Sequence, residues 1–360
     1  MTLISSTKQA VKQLLTRIGV QPAALLRSPL ASPYAPRPVT ETGEWPAFEP
    51  ATEAPEPHPS QHLDLRLKAR DYRGSKDRLY RVFVPSGYKP SRAVPLVMVL
   101  HGCQQNHLDI EKISNFSALA EREGFIVVYP YITKYGGIRG KNCWGWWMPS
   151  QTRAGAGEVE DLWQIVEEVK SQFHIDPKRI HVAGLSSGAG MAVALMVTHG
   201  QGLASGASVA GVAYGESAHA VNFFRPLSPH YRSVPTLVRT MEDQMGSGKF
   251  KVPLLVIHSR DDSVVNIKAA KNLRDSWAQC FDIALHKKSG MRSGETGNSR
   301  WHHTRYRSAK RRSELETLWL EGPDHGWYGG RPGAFSYPNA FNISEFMWRF
   351  FKSHDNEAPS

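Results

Sequence analysis

The sequence predicts an α/β fold in which a mostly parallel central sheet is covered by helices on both faces. One observation is a set of short runs that are apolar at consecutive positions, as in parallel strands buried on both faces. Such runs lie at residues 95–100 and 125–129, and two further strands are predicted over 253–258 and 315–320. The other observation is that helical periodicity separates the runs, which is typical of strands joined by helical crossovers.

The remaining elements follow in chain order. The folded unit is predicted to begin near Gln61, where leucine alternates with polar residues over 61–67. Residues 80–84 form the next predicted strand, so the entry is expected to be an antiparallel hairpin. One helix is expected around Phe116, and another over 157–173 leads into the strand that precedes a Gly-x-Ser-x-Gly motif.

The chain divides into a folded domain and two shorter flanking parts. Residues 1–20 show the spacing of a short amphipathic helix, and the proline-rich residues 21–60 are expected to form a disordered linker. The folded domain is predicted over 61–352, with a basic and partly flexible insertion at 286–313, and residues 353–360 form a tail.

Composition excludes several classes of protein. The chain has 360 residues and is 41% hydrophobic, which is enough for a sizeable core. It shows no apolar run of the roughly 18–20 residues that span a bilayer. Three cysteines are too few for a disulfide scaffold. The net charge of +11 is concentrated between Lys287 and Arg312, where nine basic residues accompany Glu295. A basic segment of this kind does not indicate a nucleic-acid-binding domain.

Gly184-Leu185-Ser186-Ser187-Gly188 is the motif of a nucleophile elbow. An apolar run precedes it and a stretch of small residues follows, as strand, sharp turn and helix require. The glycines permit a tight, strained turn, and the helix N-terminus directs N–H groups toward the serine. Ser186 is therefore the candidate nucleophile.

A serine nucleophile needs a base, and the base needs an orienting acid. In the hydrolase order of Ser, Asp and His, each residue follows a strand. Asp261 and Asp262 both follow the strand over 253–258, and from position alone either could be the acid. His325 lies in a glycine-rich loop after the last predicted strand, which makes it the candidate base.

The oxyanion hole is expected to consist of two backbone N–H groups. Ser187 follows the nucleophile and would supply one of them. Cys103 lies in the His101-Gly102-Cys103 loop after the strand over 95–100, where such folds place the second donor.

Four sequence blocks together resemble the polyhydroxybutyrate (PHB) depolymerase-type esterase family. They are HGCQQN at 101–106, NCWGWW at 142–147, GLSSG at 184–188 and HGWYGG at 325–330. The resemblance covers roughly residues 64–352 and implies an α/β-hydrolase fold. The family acid lies four residues after a histidine, which selects Asp262 because it follows His258 by four. Ser259, Gly326 and Tyr328 depart from the family pattern without removing a catalytic group.

The resemblance implies a serine esterase that hydrolyses carboxylic esters through an acyl-enzyme and needs no metal or organic cofactor. The implied substrates are esters or oligomers of 3-hydroxyalkanoates, with feruloyl or acetyl esters of polysaccharides as an alternative. A non-catalytic binding protein on a hydrolase scaffold is the alternative from another class.

Trp144 and Trp327 are the candidate residues of the substrate pocket, because tryptophans in loops near a reactive site can form an apolar wall. Ordinary packing is the alternative. Cys103 and Cys143 are either bridged or reduced, and the sequence leaves both states open.

Two features of the sequence bear on where the protein is located in the cell and on what it associates with. The N-terminus lacks the pattern of a secretory signal, which favours the cytoplasm, whereas the family it resembles includes many secreted enzymes. The helix over 1–20 and the basic insertion are candidates for weak association with a surface or a polymer granule. The alternative for the helix is packing on its own domain, and the alternative for the insertion is a solvated loop. No nucleic-acid partner is expected.

Overall fold

The computed structural model describes residues 59–132, 140–217, 230–307 and 314–356. The predicted helix over 1–20 and nearly all of the predicted linker lie outside these residues. Within the described ranges, no helix is both long enough and apolar enough to span a membrane.

The strands form one ten-stranded sheet and one two-stranded sheet within the described residues. In chain order the strands are β1 (Gln61–Leu67), β2 (Arg78–Val84), β3 (Val94–Leu100), β4 (Ile126–Pro130), β5 (Ile175–Leu185), β6 (Ser205–Val209), β7 (Leu254–Ser259), β8 (Lys288–Thr296), β9 (Ser299–Tyr306), β10 (Leu315–Glu321), β11 (Trp327–Tyr328) and β12 (Ser336–Tyr337). The order across the large sheet is β1-β2-β4-β3-β5-β6-β7-β10-β9-β8, and β11 pairs with β12.

The large sheet is mixed, with a parallel centre and antiparallel edges. Strands β4, β3, β5, β6, β7 and β10 pair in parallel. The pairs β1–β2, β2–β4, β9–β10 and β8–β9 are antiparallel. The predicted parallel centre and the predicted entry hairpin are confirmed. Strands β8 and β9 extend the opposite edge of the sheet, which the sequence did not indicate.

Helices cover both faces of this sheet, as predicted. They are α1 (His107–Ser114), α2 (Phe116–Glu123), α3 (Gly157–Gln172), α4 (Ser187–Thr198), α5 (Val234–Met245), α6 (Ile267–Cys280) and α7 (Ile343–Lys352). Along β3, Leu96 and Met98 pack into one hydrophobic cluster with α3 to α6, whereas Val97 and Val99 pack into another with α1, α2 and α7. Alternate residues of a strand point to opposite faces, so the two clusters lie on opposite sides of the sheet.

The basic insertion folds more regularly than predicted. Strands β8 and β9 form an antiparallel hairpin at the sheet edge, with Thr296 opposite Ser299. Gly297 occupies the turn with φ of 57°, a conformation that glycine adopts readily in two-residue hairpin loops. Much of the segment that was expected to be partly flexible therefore lies in two paired strands and the turn between them. Residues 308–313 lie outside the described ranges.

Candidate active site

Ser186 lies at the apex of a sharp turn between β5 and α4. Its backbone has φ of 55° and ψ of −115°, and its N–H donates to the Val209 carbonyl at 2.8 Å. A Cβ at Gly184 would lie 2.3 Å from the Gly188 carbonyl oxygen, and one at Gly188 would lie 2.5 Å from the His101 carbonyl oxygen. Side chains at either glycine would therefore collide with backbone, which explains the glycine spacing around the serine.

Asp262 and His325 are joined by a hydrogen bond. Asp262 follows β7 and His325 follows β10, and Nδ1 of His325 lies 2.8 Å from Oδ2 of Asp262. The other carboxylate oxygen of Asp262 accepts the N–H groups of Val264 and Val265 at 2.9 and 2.7 Å. Since a carboxylate only accepts, Nδ1 carries the proton, and Nε2 of a neutral His325 is left as an acceptor.

Asp261, the competing candidate, has a different partner. Its side chain is exposed, and its Oδ2 accepts the N–H of Gly322 at 2.6 Å. The structure therefore pairs Asp262, rather than Asp261, with His325.

His258 supports the turn that carries Asp262, a role that the sequence did not indicate. Its Nε2 lies 2.7 Å from the Val265 carbonyl oxygen and 3.5 Å from Oδ2 of Asp262. The Nε2–H group therefore donates to Val265, because a carbonyl oxygen can only accept. Burial lowers the pKa of His258, so a neutral ring fixes the turn.

Three further contacts connect the loop after β7 with the loop that carries His325. The Ser259 hydroxyl donates to the Pro323 carbonyl, and Asp261 accepts from Gly322. Asp324 accepts from both the N–H and the hydroxyl of Ser263. The two loops are thus held together on several sides of the Asp262–His325 hydrogen bond.

The loop after β3 is fixed by His101. Nδ1 of His101 lies 2.8 Å from the Gly102 carbonyl oxygen, and the Ile132 N–H donates to Nε2 at 3.3 Å. The ring is therefore a neutral Nδ1–H tautomer. Burial lowers the pKa of His101 to about 4, so the ring stays neutral near pH 7.

These contacts orient the peptide between Gly102 and Cys103. In a trans peptide the C=O and N–H groups point in opposite directions. Because His101 binds the Gly102 C=O, the Cys103 N–H points away from His101. The Gly102 N–H is already engaged, since it donates to Oε1 of Gln105 at 2.9 Å.

A disulfide joins Cys103 to Cys143. It connects the loop after β3 with the tryptophan-containing segment 142–147. Next to it, the Gln104 N–H donates to the Lys141 carbonyl at 2.6 Å. Of the two states that the sequence left open, the structure has the bridged one.

Ser186 and His325 line one pocket, whose empty volume including its open mouth is about 620 Å³. Apart from His325, its lining residues are apolar or uncharged. They are Gly102, Cys103, Gln104, Gln105, Trp146, Leu185, Ser186, Ser187, Ala210, Val212, Val264, Val265 and Phe335.

The predicted wall residues Trp144 and Trp327 lie outside this pocket. Both are fully buried: the Trp144 indole donates to the His101 carbonyl, and the Trp327 indole donates to the Ser344 hydroxyl. They pack into the hydrophobic core instead, Trp144 in the cluster that contains Leu96 and Trp327 in the cluster that contains Val97. Trp146 forms the wall in their place, because Gly190 lets it lie against α4; a Cβ there would be 2.9 Å from the indole Cγ.

Comparison with solved structures shows which class of protein shares this fold. The acetyl xylan esterase from Aspergillus awamori aligns over 81% of this chain and 99% of its own, with a TM-score of 0.61 and 17% identity. At that identity the likeness establishes a common fold. The family follows from the sequence: the chain belongs to the esterase PHB depolymerase family, whose model matches residues 79–300.

Two relatives illustrate the range of this similarity. Poly(3-hydroxyalkanoate) depolymerase C of Paucimonas lemoignei is 31% identical over 245 residues, which are 68% of this chain and 57% of the relative. Feruloyl esterase B of Neurospora crassa is 25% identical over 215 residues, which are 57% of this chain and 70% of the relative. The chain thus spans little more than half the length of the depolymerase.

Proposed function

We propose that the protein is a serine esterase of the α/β-hydrolase fold that hydrolyses carboxylic esters through an acyl-enzyme. The main observation is the Asp262–His325 hydrogen bond of 2.8 Å, placed beside the pocket that Ser186 also lines. Family membership supports the same reaction class.

In the first half of the reaction, Ser186 Oγ attacks the ester carbonyl carbon while Nε2 of His325 takes its proton. Asp262 stabilises the resulting imidazolium and holds it in orientation. The tetrahedral intermediate collapses, the bond to the alcohol oxygen breaks, and His325 gives its proton to the departing alcohol. Ser186 is left acylated.

In the second half, water attacks the acyl-enzyme with His325 as the base. The carboxylic acid leaves, and Ser186 regains its proton. The backbone N–H groups of Ser187 and Cys103 are proposed to stabilise the oxyanion in both halves. Neither group makes a hydrogen bond among the described residues, and His101 holds the peptide that carries the second.

The proposed substrates are esters or oligomers of 3-hydroxyalkanoates. The apolar part of the pocket wall, which includes Trp146, Val212 and Phe335, suits a neutral acyl chain. The 31% identical relative is named for such polymers. Feruloyl or acetyl esters of polysaccharides are the second candidate, since the Neurospora crassa relative is a feruloyl esterase. Weak surface association of the basic insertion stays a prediction.

Hydrolysis of short p-nitrophenyl esters tests the proposal. Ser186→Ala should lower kcat by a factor of at least about 1,000, as loss of a nucleophile does elsewhere. Ser171→Ala, an exposed hydroxyl on α3, is the matched control and should keep wild-type rates. Folded wild type without activity would favour the non-catalytic binding protein instead, and Ser186→Ala with wild-type rates would refute Ser186 as the nucleophile. Parallel assays with hydroxybutyrate oligomers and methyl ferulate distinguish the two substrate classes.

A further inference from the structure

Asp324 connects the loop of the proposed base with the loop of the proposed acid. We propose that Asp324 is a positioning residue, which holds His325 against the Asp262 loop and stabilises the protonated imidazole through its negative charge. This inference rests on the proposed function, in which His325 becomes protonated during each half-reaction.

Asp324 binds both Ser263, which is next to the proposed acid, and the backbone of the proposed base. Its Oδ1 accepts the N–H of Ser263 at 2.7 Å and the N–H of His325 at 2.6 Å. Its Oδ2 accepts the Ser263 hydroxyl at 2.8 Å. Because Ser263 directly follows Asp262, these three bonds run beside the Asp262–His325 hydrogen bond. The two bonds from Ser263 join the loops, so a shift of one loop relative to the other would have to break them. The bond to the His325 N–H lies within the loop of the proposed base.

The charge of Asp324 is maintained near neutral pH. Partial burial opposes its ionisation, but the donors from Ser263 and His325 and the nearby His325 ring outweigh burial and lower its pKa. A carboxylate held by three donors stays ionised near neutral pH. It can therefore stabilise an imidazolium that forms next to it.

Other groups also face His325. Asp262 and the buried His258 approach from the β7 side, and the Phe335 ring packs edge-on against the imidazole. The Tyr337 phenol on β12 lies near both Asp324 and Asp262. Among these neighbours of His325, the carboxylates are Asp262 and Asp324, so removing one carboxylate leaves a single negative charge near the ring.

Asp261 provides a matched control. It also bridges the two loops with one carboxylate, but it binds the N–H of Gly322, three residues before His325. Asp324 instead binds the N–H of His325 itself. Asp261→Asn and Asp324→Asn both remove one charge and keep the side-chain shape. They differ because Asp324 binds Ser263 and the N–H of His325, whereas Asp261 binds the N–H of Gly322.

The experiment is an NMR titration of the His325 ring in protein labelled at histidine. The resonance is assigned by its loss in His325→Gln, and kcat and KM on a p-nitrophenyl ester are measured on the same variants. Asp324→Asn should move the titration midpoint to lower pH by about half to one unit, because an opposite charge has been removed. Its kcat should fall about tenfold with KM changed less than about threefold, as expected for a misplaced base.

A second variant separates position from charge. Ser263→Ala removes one anchor of Asp324 and keeps its carboxylate, so kcat should fall by about threefold or more while the titration midpoint stays. A wild-type midpoint in Asp324→Asn, an equal shift in Asp261→Asn, or a wild-type kcat in Ser263→Ala would each overturn the proposal. A folded protein that hydrolyses no ester would refute the proposed function, whereas the titration would still test the charge of Asp324.

Discussion

Replacing Asp262 by asparagine should nearly abolish esterase activity while leaving the fold intact. In the structure, Oδ1 of Asp262 accepts two backbone N–H groups and Oδ2 accepts the Nδ1–H of His325. An asparagine has one oxygen and one NH₂ group to place at these two positions. The orientation that keeps both backbone bonds directs the NH₂ toward His325.

That orientation reverses the tautomer of the imidazole. Nδ1 would have to accept from the asparagine, so the proton would move to Nε2, which then could not take the proton of Ser186. A wrong tautomer of this kind costs about 10,000-fold in kcat in a serine protease, which corresponds to about 5.5 kcal/mol of barrier. We expect Asp262→Asn to lose activity to this extent.

The assay compares kcat for a p-nitrophenyl ester across wild type, Asp262→Asn and Asp261→Asn. Asp261→Asn should stay within about threefold of wild type, because the side chain is exposed and asparagine keeps an oxygen that can accept the Gly322 N–H. Thermal unfolding of all three proteins controls for folding. Activity of Asp262→Asn within tenfold of wild type would refute the reasoning, and so would a loss in Asp261→Asn as large as that in Asp262→Asn.

Three further predictions concern the surroundings of the site. Replacing Cys103 and Cys143 with serine should lower the free energy of unfolding, measured with urea, by up to about 4 kcal/mol for a disulfide that closes a chain segment of this length. It should also reduce kcat in the ester assay. Unchanged values would contradict a disulfide that holds the loop after β3. Burial lowers the pKa of His181 to about 3, so between pH 6.5 and 3 the unfolded chain binds more protons and the free energy of unfolding should decrease as the pH is lowered. His181→Gln should reduce the slope of the unfolding free energy against pH by up to about 1.4 kcal/mol per pH unit. An unchanged slope would be evidence against a buried neutral ring. Trp146 is buried but also lines the pocket, so Trp146→Ala should alter KM for long acyl chains in addition to lowering stability. Trp144→Ala should cost about 3–5 kcal/mol of stability with a smaller change in KM; calorimetry and acyl-chain kinetics on both variants measure this, and an unchanged KM in Trp146→Ala would contradict it.

The elements that carry the reacting groups could be predicted from the sequence because their signals are local. A buried parallel strand is apolar at consecutive positions, as at 95–100, and the elbow needs glycine at 184 and 188. Strand β6 was not predicted, because Ser205–Val209 consists mainly of small residues. Gly206 leaves room there for Met196, whose sulfur would lie 2.5 Å from an added Cβ.

The walls and supports of the site depend on contacts between distant segments, which a single sequence does not show. Trp144 and Trp146 have similar surroundings in the sequence, yet Trp146 lines the pocket and Trp144 donates to His101. Phe335 reaches the pocket through a loop without a motif. His258 and Asp324 stood beside predicted residues, but their roles depend on hydrogen bonds to Val265 and Ser263.

Trapping of the acyl-enzyme tests the central claim most directly. Wild-type protein is mixed with a p-nitrophenyl ester, quenched in acid within the first turnovers, and mapped by peptide mass spectrometry. We predict one acyl group on the peptide that contains Ser186, and none on that peptide in Ser186→Ala. Turnover without an adduct on Ser186, or an adduct on another side chain such as Cys280, would contradict the account.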